Sequence, residues 1–111
     1  MTNKTAASLY VEELLSSMHF TWVAEFSFAK SLKRRWRFDY CIPNEPWKIG
    51  IEIEGGTWRK SRHTTGKGFR ADIEKYNTAV VHYGYRVLRY TPDQILSGAL
   101  EADLKELCKK E

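Results

Sequence analysis

Apolar and polar residues recur with two different periods along the chain, and each period predicts one kind of element. Between Thr5 and Met18 the apolar residues are spaced three or four apart, which predicts an amphipathic helix. Residues Trp22–Phe28 alternate between large apolar and smaller or polar side chains, which predicts a strand. Two more strands, Arg35–Ile42 and Trp47–Glu54, flank the turn sequence Pro43-Asn44-Glu45-Pro46. We therefore expect an antiparallel hairpin.

The second half of the chain returns to the helical period. After a polar loop that extends to Gly68, an apolar face recurs at helical spacing as far as Gly84, and we expect this face to pack on the sheet; its residues are Phe69, Ile73, Tyr76, Val80 and Tyr83. Residues Tyr85–Tyr90 predict a short strand. Thr91-Pro92-Asp93-Gln94 is typical of a helix start, and the leucines at 100, 104 and 107 predict a last helical turn or two.

This order of elements, α-β-β-β-α-β-α, predicts an α/β domain with a mixed sheet. We assign residues 1–111 to a single domain, because single domains usually contain about 50 to 250 residues. Hydrophobic residues make up 42% of the chain, enough for a core. The sequence contains neither an apolar run of membrane-spanning length nor a signal-peptide pattern, so we expect a soluble, intracellular protein. Cys41 and Cys108 are too few for a disulfide framework, and we expect both to be reduced.

The charge is distributed unevenly, although the net value is only +4. Two basic clusters flank an acidic pair, Glu52 and Glu54. The first cluster is Lys30, Lys33, Arg34, Arg35 and Arg37; the second is Arg59, Lys60, Arg62, His63, Lys67 and Arg70. Basic flanks around carboxylates suit a polyanion held beside a bound cation. Two solvated surface strips explain the same distribution equally well.

Three carboxylates are expected to lie near one another on the hairpin. Glu52 and Glu54 project from the same side of their strand because side chains alternate. A turn centred between residues 44 and 45 places Asp39 opposite Gly50 and diagonal to Glu52, roughly 7–8 Å away. Gly50 would leave space for an ion, and Mg²⁺ prefers such oxygen ligands. Alternatively, Glu52 and Glu54 are surface residues paired across the hairpin with arginines 35 and 37.

The wider sequence around these acids resembles the PD-(D/E)XK nuclease superfamily. The resemblance rests on Asp39 followed by the strand Gly50-Ile51-Glu52-Ile53-Glu54-Gly55-Gly56. Further segments resemble compact phage and prophage endonucleases of the very-short-patch-repair-like branch; they are Arg35-Trp36-Arg37-Phe38-Asp39, Arg62-His63, Gly68-Phe69, Asp72, Glu74-Lys75-Tyr76-Asn77 and Val87-Leu88-Arg89-Tyr90. The match covers roughly residues 10 to 95. Glu54 departs from the family pattern, which has lysine at that position.

The resemblance implies a restriction-endonuclease-like α-β-β-β-α-β core, a mixed sheet flanked by helices. It gives Asp39 and Glu52 the role of metal ligands, with the Ile53 carbonyl as a third. Glu54 would act as a general base or as a ligand of a second metal. The acid that the family carries on its first helix corresponds to Glu12 or Glu13, and we favour Glu12.

The missing lysine needs a substitute, and Lys75 is our candidate, with Lys67 as the competitor. Lys75 lies on one flank of the packed helix face, where it would otherwise form an ordinary surface pair with Asp72. His63 is a candidate for contacting the scissile phosphate or acting as a general acid, or it is a polar loop residue. The residues expected to hold the DNA backbone are Arg34, Arg35, Arg37, Arg59, Lys60, Arg62 and Lys67.

These expectations lead to a Mg²⁺- or Mn²⁺-dependent DNA endonuclease, of phage or prophage origin and located in the cytoplasm of a bacterium or an infected host. A chain this short favours a structure-selective enzyme that acts on a junction, flap or nick, with a homodimer as one way to make paired cuts. The alternative is a nuclease fold that has lost catalysis and binds DNA or a protein partner.

Overall fold

The computed structural model describes residues 4–55 and 66–110, with side chains in the second range from residue 68 onward. Helix α1 is Ala6–Ser17, and it begins after Thr5, whose hydroxyl accepts the backbone N–H of Ser8. This capping bond satisfies one of the backbone donors that a helix leaves unpaired at its start. The first predicted helix is therefore confirmed to within one residue at each end.

Four strands form one mixed sheet. They are β1, Val23–Ser27; β2, Arg37–Ile42; β3, Ile49–Ile53; and β4, Arg86–Tyr90. Their spatial order follows the chain, with β1–β2 and β2–β3 antiparallel and β3–β4 parallel. The β2–β3 pairing confirms the predicted hairpin. A short 3-10 helix, Lys30–Leu32, lies between β1 and β2 and was not predicted from the sequence.

Three further helices complete the described fold. Helix α2, Gly66–Tyr83, connects the parallel strands β3 and β4, and α3, Pro92–Leu96, and α4, Ala99–Lys110, follow the sheet. The predicted helix start at Thr91 is confirmed by a capping box, in which Thr91 and Gln94 exchange side-chain to backbone hydrogen bonds. The last helix is longer than the one or two turns predicted. The protein is thus a mixed α/β structure whose sheet is flanked by helices.

Each face of the sheet contributes to a different core. The larger core joins one face to α1, α3 and α4, and its fully buried side chains include Leu15, Ile51 and Leu104. The smaller core lies on the other face beneath α2 and contains Phe28, Phe38, Cys41, Ala79 and Tyr85. Most of the strand β3 is therefore covered on both sides, as expected for a strand with a parallel neighbour.

Gly50 leaves room for an aromatic ring rather than for an ion. A Cβ atom at Gly50 would lie 2.6 Å from three ring carbons of Phe38. The expectation that this glycine opens space for a metal is therefore wrong. Its physical role is packing, because the Phe38 ring fills the volume that any side chain at position 50 would need.

Helix α2 is rotated relative to the expected orientation. Phe69, Ile73 and Val80, which were expected to pack on the sheet, are exposed at 60%, 45% and 54%. The helix instead directs Lys75 and Ala79 towards the sheet. The prediction of this packing face is wrong for Phe69, Ile73 and Val80, whereas Tyr76 and Tyr83 of the same predicted face contact Glu52 and the smaller core. Hydrophobic period alone does not account for a polar partner across the interface, which for Lys75 is the carboxylate of Glu52.

No helix within residues 4–55 and 66–110 is both long enough and apolar enough to cross a membrane. Both cysteines are unbridged. Cys41 is buried, and this burial raises the pKa of its thiol to about 11, so that the thiol stays protonated at neutral pH. Cys108 is exposed on α4.

Candidate functional site

The side chains of Asp39 and Glu52 connect β2 and β3 through two reciprocal hydrogen bonds. The backbone N–H of Asp39 donates to Glu52 Oε2 over 2.8 Å, and the backbone N–H of Ile53 donates to Asp39 Oδ2 over 2.8 Å. Each carboxylate thus takes the place of a backbone acceptor where the regular ladder ends. The two acids converge from neighbouring strands, as predicted.

The register that brings them together differs from the predicted one. Cys41 pairs with Gly50 and Tyr40 with Ile51, so the ladder, continued by one residue, puts Asp39 opposite Glu52. The prediction placed Asp39 opposite Gly50, and that register is wrong by two residues. The turn is wider than assumed, because the ladder closes only at the pair Ile42–Ile49.

The alternation of side chains is interrupted in β2 at Asp39. Phe38 and Cys41 both belong to the smaller core although they are three residues apart, whereas regular alternation would put them on opposite faces. On the neighbouring strand, Glu25 falls opposite Asp39 and has a positive φ of 50°. The irregular backbone leaves the Asp39 side chain exposed between two clefts, both of which it lines.

Glu52 is the buried acid of the pair, and α2 supplies its partners. Lys75 Nζ and the Tyr76 hydroxyl each donate to Glu52 Oε1 over 2.8 Å. The Glu52 and Lys75 side chains retain only 10% and 15% of their exposure. A buried carboxylate needs such partners because removal from water disfavours its charge. The predicted proximity of Lys75 to the acids is confirmed, and its salt bridge is with Glu52 inside a cleft.

Glu54 lies at the end of β3 and pairs with β4. Arg89 Nε donates to Glu54 Oε2 over 2.8 Å, and the Arg89 guanidinium lies 4.4 Å from the centre of the Tyr76 ring. Arg37 pairs instead with Glu25 on β1 over 2.9 Å. The alternative in which Glu52 and Glu54 pair across the hairpin with arginines 35 and 37 is therefore wrong, because their observed partners are Lys75 and Arg89.

The pKa of Asp39 is raised above its usual value. The main cause is partial loss of hydration to the surrounding protein, to which the negative charges of Glu52 and Glu54 add. The hydrogen bond from the Ile53 N–H and the charge of Lys75 act in the opposite direction. Asp39 therefore carries its negative charge at a cost, which a nearby cation would reduce.

Glu12 on α1 lines a cleft that Asp39 also lines. It accepts hydrogen bonds from Lys4 Nζ over 2.8 Å and from the Tyr40 hydroxyl over 2.6 Å. Both bonds lower the pKa of Glu12, and the bond from Lys4 has the larger effect. Glu12 and Asp39 line the same cleft, of about 490 Å³. Glu13, the other candidate on this helix, is exposed and does not line this cleft.

Two further clefts carry the chemistry predicted from charge. A cleft of about 320 Å³ is lined by Glu25, Arg37, Phe38, Asp39, Glu52 and Lys75. A groove of about 440 Å³ is lined by Ser27, Lys30, Arg34, Arg35 and Arg37. We call the first the acidic cleft and the second the basic groove. Arg37 lines both, so the basic groove and the acidic cleft adjoin each other at this residue.

Within the basic groove the cations differ in their surroundings. Arg34 forms an ion pair with Glu74 over 2.9 Å and lies over the Trp36 ring. Trp36 in turn packs against the smaller core. Arg35 is exposed. The groove therefore presents cations that are partly held in place and partly exposed.

Several predicted residues lie outside the described part of the chain. These are Arg59, Lys60, Arg62 and His63. The side chain of Lys67 lies outside it as well. Their predicted roles in binding DNA or contacting the scissile phosphate stay predictions.

Three polar residues bind the candidate acids although they were given no role from the sequence. They are Tyr40, Tyr76 and Arg89, which bind Glu12, Glu52 and Glu54 respectively. Tyr40 and Tyr76 are adjacent in sequence to Asp39 and Lys75, and this adjacency is the signal that could have identified them. Burial raises the pKa of both tyrosines, as do their carboxylate partners, so each stays a hydrogen-bond donor.

The donor set suits a hard divalent cation. Asp39, Glu52 and the Ile53 carbonyl offer oxygen atoms, which Mg²⁺ and Mn²⁺ prefer. The Ile53 carbonyl accepts the Gly55 N–H over 2.9 Å and retains a second lone pair. Among the residues whose side chains are described, no three His, Cys, Asp or Glu side chains are placed to hold a metal together. Two carboxylates with a carbonyl, waters and a phosphate are a usual set for Mg²⁺.

Comparisons with protein-family models, with curated proteins and with solved structures return no match to this chain.

Proposed function

We propose that this protein is a divalent-metal-dependent nuclease that hydrolyses DNA phosphodiester bonds in the acidic cleft. The observation that carries the proposal is the convergence of Asp39 and Glu52 from adjacent strands, with Lys75 Nζ 2.8 Å from Glu52. Two carboxylates and one cation in a single cleft are a suitable set for phosphoryl chemistry, which depends on positioning and charge stabilisation.

In this proposal Asp39, Glu52 and the Ile53 carbonyl hold Mg²⁺ or Mn²⁺. When bound, the ion supplies Lewis acidity and lowers the pKa of a water. The chain's own residues position the substrate and balance its charge. Lys75 stands beside Glu52 and donates a hydrogen bond to a phosphate oxygen, which offsets the negative charge that develops there. Lys75 thereby takes the role of the family's lysine, whose position in this chain is occupied by Glu54.

The basic groove supports DNA as the substrate. Its cations lie next to the acidic cleft, and Arg37 lines both. Cations along a groove bind a nucleic acid through its phosphates, independently of sequence. We extend the proposal to a structure-selective endonuclease with a restriction-endonuclease-like core, of phage or prophage origin and active in the cytoplasm. A homodimer would bring two acidic clefts to one DNA.

A second candidate is a DNA-binding protein of the same architecture without catalysis. The observation that favours it is the engagement of Glu52, whose oxygens accept three hydrogen bonds, from Lys75, Tyr76 and the Asp39 N–H, out of about four that a carboxylate can accept. Only Oε2 then keeps a lone pair for a metal, because Oε1 already accepts two hydrogen bonds. The basic groove would still hold DNA.

Cleavage of defined DNA separates the two candidates. Linear, nicked, flap, four-way-junction and single-stranded substrates are incubated with Mg²⁺ or Mn²⁺, and binding is measured in EDTA. The nuclease proposal expects cleavage, its loss in Asp39→Asn and Glu52→Gln, and retained binding in both. Glu106→Gln is the control, because it removes a carboxylate from an exposed pair on α4. If pure wild-type protein binds these DNA substrates but cleaves none of them, the nuclease proposal is wrong and the DNA-binding candidate is retained.

A further inference from the structure

The proposed hydrolysis uses only the edge of the cleft on the α1 side of Asp39, where Asp39 and Ile53 lie, and gives the rest of this cleft no role. We call it the Trp22 cleft. It has a volume of about 490 Å³ and is lined by Lys4, Ser8, Glu12, Trp22, Ala24 and Tyr40, among others. This volume is within the range of small-molecule sites in proteins. Asp39 and Glu25 also line the acidic cleft, so the two clefts adjoin each other at Asp39.

The lining combines a flat aromatic wall with polar groups. The indole of Trp22 is held in place on two sides, since its N–H donates to Ser16 Oγ over 3.0 Å and its ring meets the Tyr40 ring edge-on at 5.7 Å. The polar residues Ser8 and Glu12 also line the cleft. A nucleobase has the matching chemistry, because its faces are apolar and stack on aromatic rings while its edge carries donors and acceptors.

The position of the cleft determines which base would enter it. A phosphodiester bond in the acidic cleft lies next to Asp39, so an adjoining nucleotide is next to the Trp22 cleft. The backbone on the other side would continue past Arg37 into the basic groove. A base that is paired and stacked inside a duplex does not reach a side pocket without leaving its stack.

We infer that the Trp22 cleft receives one unstacked nucleobase beside the scissile phosphate. The substrate is therefore DNA that is unpaired at the cut, such as a flap, a bulge or a single strand. This inference rests on the proposed function, from which it takes the position of the phosphate.

The test uses 2-aminopurine, a fluorescent base whose emission falls when it stacks. A duplex with one unpaired 2-aminopurine and a matched duplex with the base paired are titrated with protein in EDTA. We expect quenching for the unpaired base alone. Trp22→Ala removes the stacking surface, and we expect it to abolish the quenching and weaken binding about tenfold. Leu9→Ala is the control, because it removes an exposed side chain of α1 that does not line the cleft, and we expect it to leave the quenching unchanged.

A second variant tests the inference even if Trp22→Ala fails to fold, since Trp22 also packs against the larger core. Ala24 is exposed and lines the cleft, so Ala24→Leu fills the space without removing any core atom. We expect it to abolish the quenching as well. Equal quenching by the wild type and both variants overturns the inference, as does a wild type that cleaves DNA without quenching the unpaired base. Quenching in EDTA without cleavage in Mg²⁺ or Mn²⁺ overturns the proposed nuclease and retains the base pocket.

Discussion

Lys75 donates a hydrogen bond to Glu52 over 2.8 Å, and both side chains are largely removed from solvent. This contact joins α2 to β3 across 23 positions of the chain. A charge pair in such a place contributes less to stability than its attraction suggests, because each charge has lost its hydration. Removal of one partner is costly, since the other charge then stays buried without compensation.

Lys75→Met is therefore expected to lower the free energy of unfolding by about 3 kcal/mol in metal-free buffer. Urea unfolding measures this change. The double variant Glu52→Gln with Lys75→Met should recover part of the loss, because no uncompensated charge is left. Lys105→Met is the matched control: its pair with Glu101 on α4 is exposed, and we expect little or no loss of stability. Similar losses for both lysines would contradict the burial argument.

Mg²⁺ should stabilise the Lys75→Met variant more than it stabilises the wild type. In the wild type the Lys75 ammonium already balances the charge of Glu52, whereas in the variant that carboxylate lacks a cation. The measurement is the rise in melting temperature between EDTA and excess Mg²⁺. A rise that is equal in both proteins would show that the ion does not bind near Glu52.

Asp39→Asn is expected to stabilise the metal-free protein at neutral pH. The pKa of Asp39 is raised in the folded state, so the folded protein holds this proton more tightly than the unfolded chain does. The contribution of the Asp39 carboxyl to the free energy of unfolding therefore falls as the pH rises from the ordinary aspartate pKa to above the raised pKa of Asp39. Asparagine lacks the charge and still accepts the Ile53 N–H.

The gain from Asp39→Asn should stay below about 1 kcal/mol, because Asp39 remains in contact with screening solvent. It should shrink as the pH falls below the ordinary aspartate pKa, where the wild-type carboxyl is protonated in both states. Urea unfolding of the wild type and the variant at pH 7 and at about pH 3.5, close to the ordinary aspartate pKa, measures whether the variant is the more stable protein and whether its advantage shrinks. A variant that is less stable at pH 7 contradicts the prediction.

Gly50→Ala should destabilise the protein by about 1–3 kcal/mol, the usual cost of overpacking a core. The added methyl group would lie 2.6 Å from carbons of the Phe38 ring. Phe38→Leu in the same chain removes that ring and should make Gly50→Ala less costly. Gly55→Ala is the control, because its Cβ would meet no atom within 4 Å. Equal costs for the two glycines would exclude the proposed packing role.

Arg35→Ala is expected to weaken binding to DNA and to reduce its dependence on salt. When one cation no longer neutralises a phosphate of a single strand, the slope of log affinity against log salt concentration changes by about 0.7. Fluorescence anisotropy between low and high salt gives this slope. Lys110→Ala, at the end of α4, removes an exposed cation outside the basic groove and should leave the slope unchanged.

The pattern of residues determined the elements and the set of acids. Thr91, Pro92 and Gln94 specify a helix start through bonds that span four residues, and the structure forms that start. The convergence of Asp39 and Glu52 also followed from the sequence, because two strands around one turn have few ways to align, although the predicted register was wrong by two residues. Such features depend on neighbours along the chain, which a sequence displays directly.

The tertiary structure decided the features that depend on distant segments. The rotation of α2 exposes Phe69 and Ile73 and brings Lys75 onto Glu52, which no periodicity in the helix itself indicates. The Phe38 ring takes the space over Gly50 that the sequence left open for an ion. Packing and the satisfaction of a buried charge are properties of two surfaces in contact. They are fixed only when the helix and the sheet meet.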